Sequence, residues 1–209
     1  SAELSEKYPF FWCACGIHPH EAEKELKNAN IETPKLKARL LMQFTLNKPR
    51  QYIIVNDLNG LTVKEENQYF SAIKKMRQGV PLEHITHQRE FMKLNFFVNE
   101  NVLIPRQDTE ILVEEVISIA KKTNAKTILD LCTGSGAIAV SLAKYLPNTE
   151  ITAVDISQEA LKVAKKNAIS NEVENQITFV KSDLFNKLGK EKYDIIVSNP
   201  PYIKKDVIK

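Results

Sequence analysis

Ten residues, TILDLCTGSG at 127–136, constrain this chain more than any others. An apolar run reaches Asp130, turns through Cys132, Thr133, Gly134, Ser135 and Gly136, and enters a helical pattern over 137–145. Glycines between a strand and a helix allow a tight turn and let a ligand approach the backbone closely. The alternation then continues. ITAVD (151–155) reads as a strand, 158–169 as a helix, ITFV (177–180) as a strand and YDIIVS (193–198) as a strand. A helix over 109–121 precedes them all. Strands alternating with helices predict an α/β fold with a Rossmann-like, doubly wound parallel sheet.

Ligands of such sheets bind at the carboxyl ends of the strands. Asp155 ends the second strand, 19 residues past Gly136. From that position a carboxylate accepts both hydroxyls of a ribose. Ser182, Asp183, Leu184 and Phe185 follow the third strand. A polar side chain and a backbone amide there read adenine, with Leu184 or Phe185 against its face. A dinucleotide fingerprint tolerates Ala139 in place of its third glycine. Asp130, however, would repel a pyrophosphate and suits a cationic amine. S-adenosylmethionine has that amine, a sulfonium and a ribose, and no phosphate. Acids at three successive strand ends make it the expected cofactor.

The fourth strand ends in Asn199-Pro200-Pro201-Tyr202. A turn is one reading of Asn-Pro. Chemistry is the other. A planar amide nitrogen is a poor nucleophile, because its lone pair is delocalised. An enzyme that methylates it must hold both N–H groups in one orientation. Asn199 offers a side-chain carbonyl and Pro200 a backbone carbonyl. Pro201 stiffens that frame, because proline fixes φ and restricts the residue before it. Tyr202 packs on a flat substrate. The expected catalysis is alignment and electrostatics, with no covalent intermediate.

The rest of the chain differs in texture. Residues 23–90 read as a helical bundle, with Leu36, Leu40, Leu41 and Phe44 at helical spacing, and Tyr69, Ile73 and Met76 likewise. Thr33-Pro34 reads as an N-cap with a first helical position, and Thr62 as the cap of a later helix after the Asn59-Gly60 break. Residues 91–104 alternate around Asn99-Glu100-Asn101, which predicts a connector formed by a hairpin or two short strands. Residues 105–209 carry the sheet. The 29 basic and 26 acidic residues leave a net charge of +3, too mild to indicate a nucleic-acid partner. Three cysteines, Cys13, Cys15 and Cys132, are too few for a disulfide framework and suggest a reducing cytoplasm. No apolar run approaches a membrane span, and Ser1–Lys7 lacks the core of a signal peptide.

At this point the chain resembles the HemK/PrmC family of release factor glutamine methyltransferases. The resemblance rests on Asn199-Pro200-Pro201-Tyr202 together with GVPLEHITHQREFMKLNFFVNENVLIPRQDTEILVE (79–114) and ETPKLKARLLM (32–42). It covers roughly residues 23–209. It implies transfer of a methyl group to the glutamine of a Gly-Gly-Gln loop in class 1 peptide chain release factors, with the helical domain helping to recognise them. It implies a monomer. It places the amino-acid end of S-adenosylmethionine at Asp130, Thr133, Gly134 and Gly136, the ribose at Asp155 beside Ile156, and the adenine at Asp183 and Leu184. Asn199, Pro200, Pro201 and Tyr202 hold the glutamine, Asn199 next to the cofactor. Arg106 and Thr109 line the pocket from the connector side. Arg106 has a plainer alternative, an ion pair with Glu110 or Glu114.

Departures from the family are visible too. His87, Lys93 and Cys132 stand where the family often has glycine, and Gln107 where it often has proline. Cys132 reads as a small buried filler rather than a nucleophile. The chain stops seven residues after Tyr202, so a sheet short of its last strands is expected. Residues 1–22, through EKYPFFWCACGIHPHEA (6–22), are similar to an internal stretch of TatD hydrolases and read as a foreign segment. His18, His20 and Glu21 are too few for a metal site, and none is expected. Two other readings stay open: methylation of an exocyclic amine of adenine or guanine in nucleic acid, and an inactive fragment that only binds the cofactor.

Overall fold

The structure, a computed structural model, describes residues 20–56 and 60–201. Two compact units divide after Thr86. Cys13, Cys15, His18, Asn59 and Tyr202 lie outside the described residues.

The first unit holds helices α1 (His20–Asn28), α2 (Pro34–Leu46), α3 (Arg50–Val55), α4 (Val63–Arg77) and α5 (Leu82–Thr86). Helix α1 takes in residues 20–22, and Ala22 is buried in the core of the unit, so the helical unit begins before residue 23. Tyr69, Ile73 and Met76 of α4 line that core at the expected spacing. On α2 the buried face is rotated from the expected one. It runs through Ala38, Leu41, Met42 and Thr45, and Leu36 stays exposed. The reason is close packing at Ala38, whose carbonyl accepts the buried Tyr69 hydroxyl at 3.1 Å. Thr62 caps α4 as expected. Its hydroxyl accepts from the Glu65 amide, and its own amide donates to the Glu65 carboxylate at 2.8 Å, a capping box. Thr33 does not cap α2. It sits in the left-handed region at φ 51° and its side chain makes no cap bond, while Pro34 opens the helix without an amide to satisfy.

The second unit opens with an antiparallel hairpin, β1 (Gln88–Phe91) and β2 (Leu94–Phe97). Its turn is Met92-Lys93, with φ of 51° and 59°, the doubly left-handed geometry of a type I′ turn. The expected hairpin turn at Asn99-Glu100-Asn101 is instead a local loop, closed by the Asn101 amide on the Asn99 side chain at 3.2 Å.

Helix α6 (Asp108–Thr123), strand β3 (Thr127–Leu131), helix α7 (Ala137–Tyr145), strand β4 (Glu150–Asp155), helix α8 (Gln158–Ser170), strand β5 (Ile177–Lys181) and strand β6 (Ile195–Ser198) follow. The four strands form one parallel sheet in the order β5-β4-β3-β6. Val113, Val116 and Ala120 of α6 and nearly all of α7 pack on it. Asp194 sets the register of β6. Its carboxylate takes the Lys126 and Thr127 amides at 2.7 and 3.0 Å, and these bonds hold its pKa below the ordinary range. The chain runs from β3 outward to β5, then returns to the far side of β3. The order therefore reverses at β3 and β6, the topological switch point where α/β sheets bind ligands.

Candidate active site

The turn after β3 is held by its own acids. Asp130 is fully buried, and one oxygen accepts the Thr133 hydroxyl at 2.6 Å. Its other oxygen is buried without a well-formed hydrogen bond. Burial lifts the Asp130 carboxyl to about 7, against the pull of the Thr133 hydroxyl and the Ala139 amide, and the Asp155 carboxylate adds to the rise. Asp155 grips the turn from β4. One oxygen accepts the Gly134 amide at 2.9 Å, the other the Ser157 amide at 2.9 Å. Each carboxylate oxygen has two lone pairs, so these bonds leave acceptor capacity for hydroxyl groups of a ligand.

The two glycines do different work. At Gly134, φ +56°, an added Cβ would find only the Cys132 carbonyl, 4.0 Å away. That face of the turn is open to a ligand. At Gly136, φ +78°, an added Cβ would lie 2.9 Å from the Ala164 Cβ. Gly136 is required for close packing of the turn on α8 as well as for its backbone conformation.

Asp183 is exposed after β5, and so are Leu184 and Phe185, about half of each surface being open. Ile156 is exposed beside Asp155. These apolar side chains are free to cover a flat ring. Cys132 reports the electrostatics of this edge. Burial raises its thiol pKa, and the Asp155, Asp130 and Asp183 carboxylates raise it further. The same field suits a cationic ligand and repels a phosphate, so the residues present fit the expected cofactor.

Asn199 follows β6, whose Ser198 is in register with Leu131 of β3. It is half-buried, and its side-chain NH2 donates to the Thr109 hydroxyl at 3.0 Å. Its side-chain carbonyl takes no hydrogen bond among the described residues. Pro200 and Pro201 are exposed. Of the two connector residues expected in the pocket, Thr109 is joined to Asn199, while Arg106 is exposed. Glu110 is engaged with the Met92 amide at 2.7 Å.

Two contributors escape any reading of the sequence. Asn167 on α8 is buried and bonds the Ser135 carbonyl at 2.8 Å, while also bonding the Phe97 amide and carbonyl. The Ser198 hydroxyl donates to the Leu131 carbonyl at 2.8 Å. Asparagine within a helix and serine at a strand end carry no distinctive pattern.

Residues 20–86 match the PrmC N-terminal domain and residues 106–209 the methyltransferase small domain. The release factor glutamine methyltransferase of Clostridium acetobutylicum is 40% identical over 90% of this chain and 67% of its own length. The chain belongs to this family. That of Leptospira interrogans serogroup Icterohaemorrhagiae serovar Lai is 45% identical over 88% of the chain and 65% of its own length. A bifunctional methyltransferase of Rickettsia bellii is 38% identical over 88% of the chain, which spans 38% of that longer protein. The positions where the sequence reading expects glycine or proline carry backbone angles that suit those residues. His87, Lys93 and Cys132 adopt φ of 57°, 59° and 60°, the region glycine enters without cost. Gln107 lies at φ −59°, the angle proline fixes.

Proposed function

We propose that the protein transfers the methyl group of S-adenosylmethionine to the side-chain amide nitrogen of the Gly-Gly-Gln glutamine in class 1 peptide chain release factors. One observation carries the reading: Asn199 and the acid-ringed turn stand at the ends of adjacent, in-register strands. A nitrogen held at Asn199 is therefore next to a ligand held at the turn. When bound, the cofactor supplies an electrophilic methyl group on a sulfonium. Asp155 holds the ribose, Asp183 and Leu184 the adenine, and the turn with Ile156 the remainder. Buried Asp130 acts by shaping the turn and by its field. The Asn199 carbonyl and the Pro200 backbone carbonyl each accept one N–H of the glutamine amide. Pro201 stiffens them, and Tyr202 covers the flat face. Two acceptors on one planar NH2 fix the direction of its nitrogen, so binding is converted into alignment. The helical unit serves recognition of the release factor, and the protein works as a cytoplasmic monomer without metal. Among the described residues, no helix is long and apolar enough to cross a membrane.

The test is methyl transfer from labelled cofactor to a release-factor domain, to the same domain with the loop glutamine changed to glutamate, and to DNA and RNA. Labelling of the glutamine form alone is expected. Equal labelling of both forms, or labelling of nucleic acid alone, overturns the proposal. Cofactor binding with no transfer to any acceptor reduces the chain to a binding fragment.

A further inference from the structure

We infer that Thr109 is the residue that positions Asn199, anchoring one end of its carboxamide so that the other end is held toward the methyl acceptor. The inference rests on the proposed function and adds a specific device to it. A carboxamide has nearly the same shape either way round, but its two ends have opposite hydrogen-bonding character. If the Asn199 NH2 faced an incoming amide NH2, donor would meet donor. The side chain must therefore be held where an incoming amide can meet its carbonyl end. Proline neighbours stiffen the backbone but do not distinguish the two ends of a side chain.

The Thr109 hydroxyl anchors one end of the carboxamide, and because a hydroxyl can accept or donate, the N–H groups of the acceptor complete the choice of end. The hydroxyl accepts from the Asn199 NH2 at 3.0 Å across 90 residues of chain. With that end of the amide engaged, the carbonyl is directed elsewhere. Threonine suits the task because its β-branched side chain is stiff about χ1. Its own position is secured. The Thr109 amide donates to the Arg106 carbonyl at 3.1 Å, and neighbouring Glu110 takes the Met92 amide of the hairpin at 2.7 Å. The first turn of α6 is thus tied down on both sides of Thr109. Asn199, by contrast, has no other side-chain bond among the described residues.

Substitution separates this role from simple packing. Thr109→Val keeps the shape and removes the oxygen. Thr109→Ser keeps the oxygen and removes a methyl group. A packing role makes Ser the more harmful change; a positioning role makes Val the more harmful. In the full-length protein, with a release-factor domain as acceptor, Thr109→Val is expected to lower kcat about tenfold, the scale of one lost orienting hydrogen bond. Cofactor affinity by calorimetry should stay within about twofold, and Thr109→Ser should recover most of the rate. Unchanged kcat in Thr109→Val, a Ser variant as slow as the Val variant, or loss of cofactor binding in Thr109→Val overturns the inference alone. Absence of transfer by the unaltered protein overturns the proposed function, and this inference with it.

Discussion

The turn after β3 and the segment after β6 end on the same edge of one sheet, yet they are built in opposite ways. In the turn nearly every polar side chain is committed inward. Thr133 bonds Asp130, Asp155 bonds two amides, and Asn167 bonds Ser135. After β6, Asn199 keeps one side-chain bond, and the prolines are exposed. The lesson is that the cofactor side is shaped by the protein's own hydrogen bonds before any ligand arrives. The acceptor side is left open, with one contact holding its amide in place. Damage to the turn should therefore cost stability and cofactor affinity together. Damage at Asn199 should cost rate alone.

The largest effect is expected at Gly136. Gly136→Ala combines a left-handed φ with a Cβ 2.9 Å from that of Ala164. Strain and overpacking together should cost about 3 kcal/mol of stability, read by chemical denaturation. A variant as stable as the original would mean the turn is not preformed.

Asp130 comes next. Its folded-state pKa is raised to about 7 from an ordinary 3.8, chiefly by burial. The folded protein therefore binds this proton more tightly than the unfolded chain does. That contribution is full below about pH 4 and is lost as pH rises toward 7. Between pH 5 and pH 8 the loss should be roughly 2–3 kcal/mol at ~1.4 kcal/mol per pH unit up to the folded pKa. Asp130→Asn should remove this slope. Denaturation of both proteins at the two pH values checks it; parallel slopes would contradict it.

At Asp155 the expected loss is of affinity. Asp155→Ala should weaken S-adenosylmethionine binding by about tenfold or more, as for loss of charge-assisted bonds. Calorimetry with unchanged affinity would remove Asp155 from the ribose. The smallest effect is on the hairpin. Lys93→Gly relieves a left-handed lysine at φ 59° and should raise stability by about 0.5–1 kcal/mol in thermal unfolding, with cofactor affinity unaltered.

What could be read from the sequence was local. The strand–turn–helix at 127–145, the acid closing β4 and the Thr62 cap each depend on neighbours within a few residues, and each stands where its pattern indicates. The hairpin turn was hidden because Met92 and Lys93 carry no glycine to announce a left-handed backbone. The buried face of α2 was hidden because Ala38, not Leu36, meets Tyr69. Thr133 showed its place in the motif but not that its hydroxyl would be spent on Asp130. The link between Thr109 and Asn199 spans 90 residues, and nothing short of the folded sheet brings them together.

The contrast between a preformed cofactor side and an open acceptor side is tested most directly at Asn199. Asn199→Ala, in the full-length protein, should be measured twice: for S-adenosylmethionine affinity by calorimetry, and for the rate of methyl transfer to a release-factor domain. Affinity is expected to stay within about twofold, while the rate falls by a factor on the order of a hundred, the scale of one lost orienting contact in a reacting site. A variant that keeps its rate but loses the cofactor would reverse the assignment and make the Asn-Pro-Pro segment part of the cofactor side.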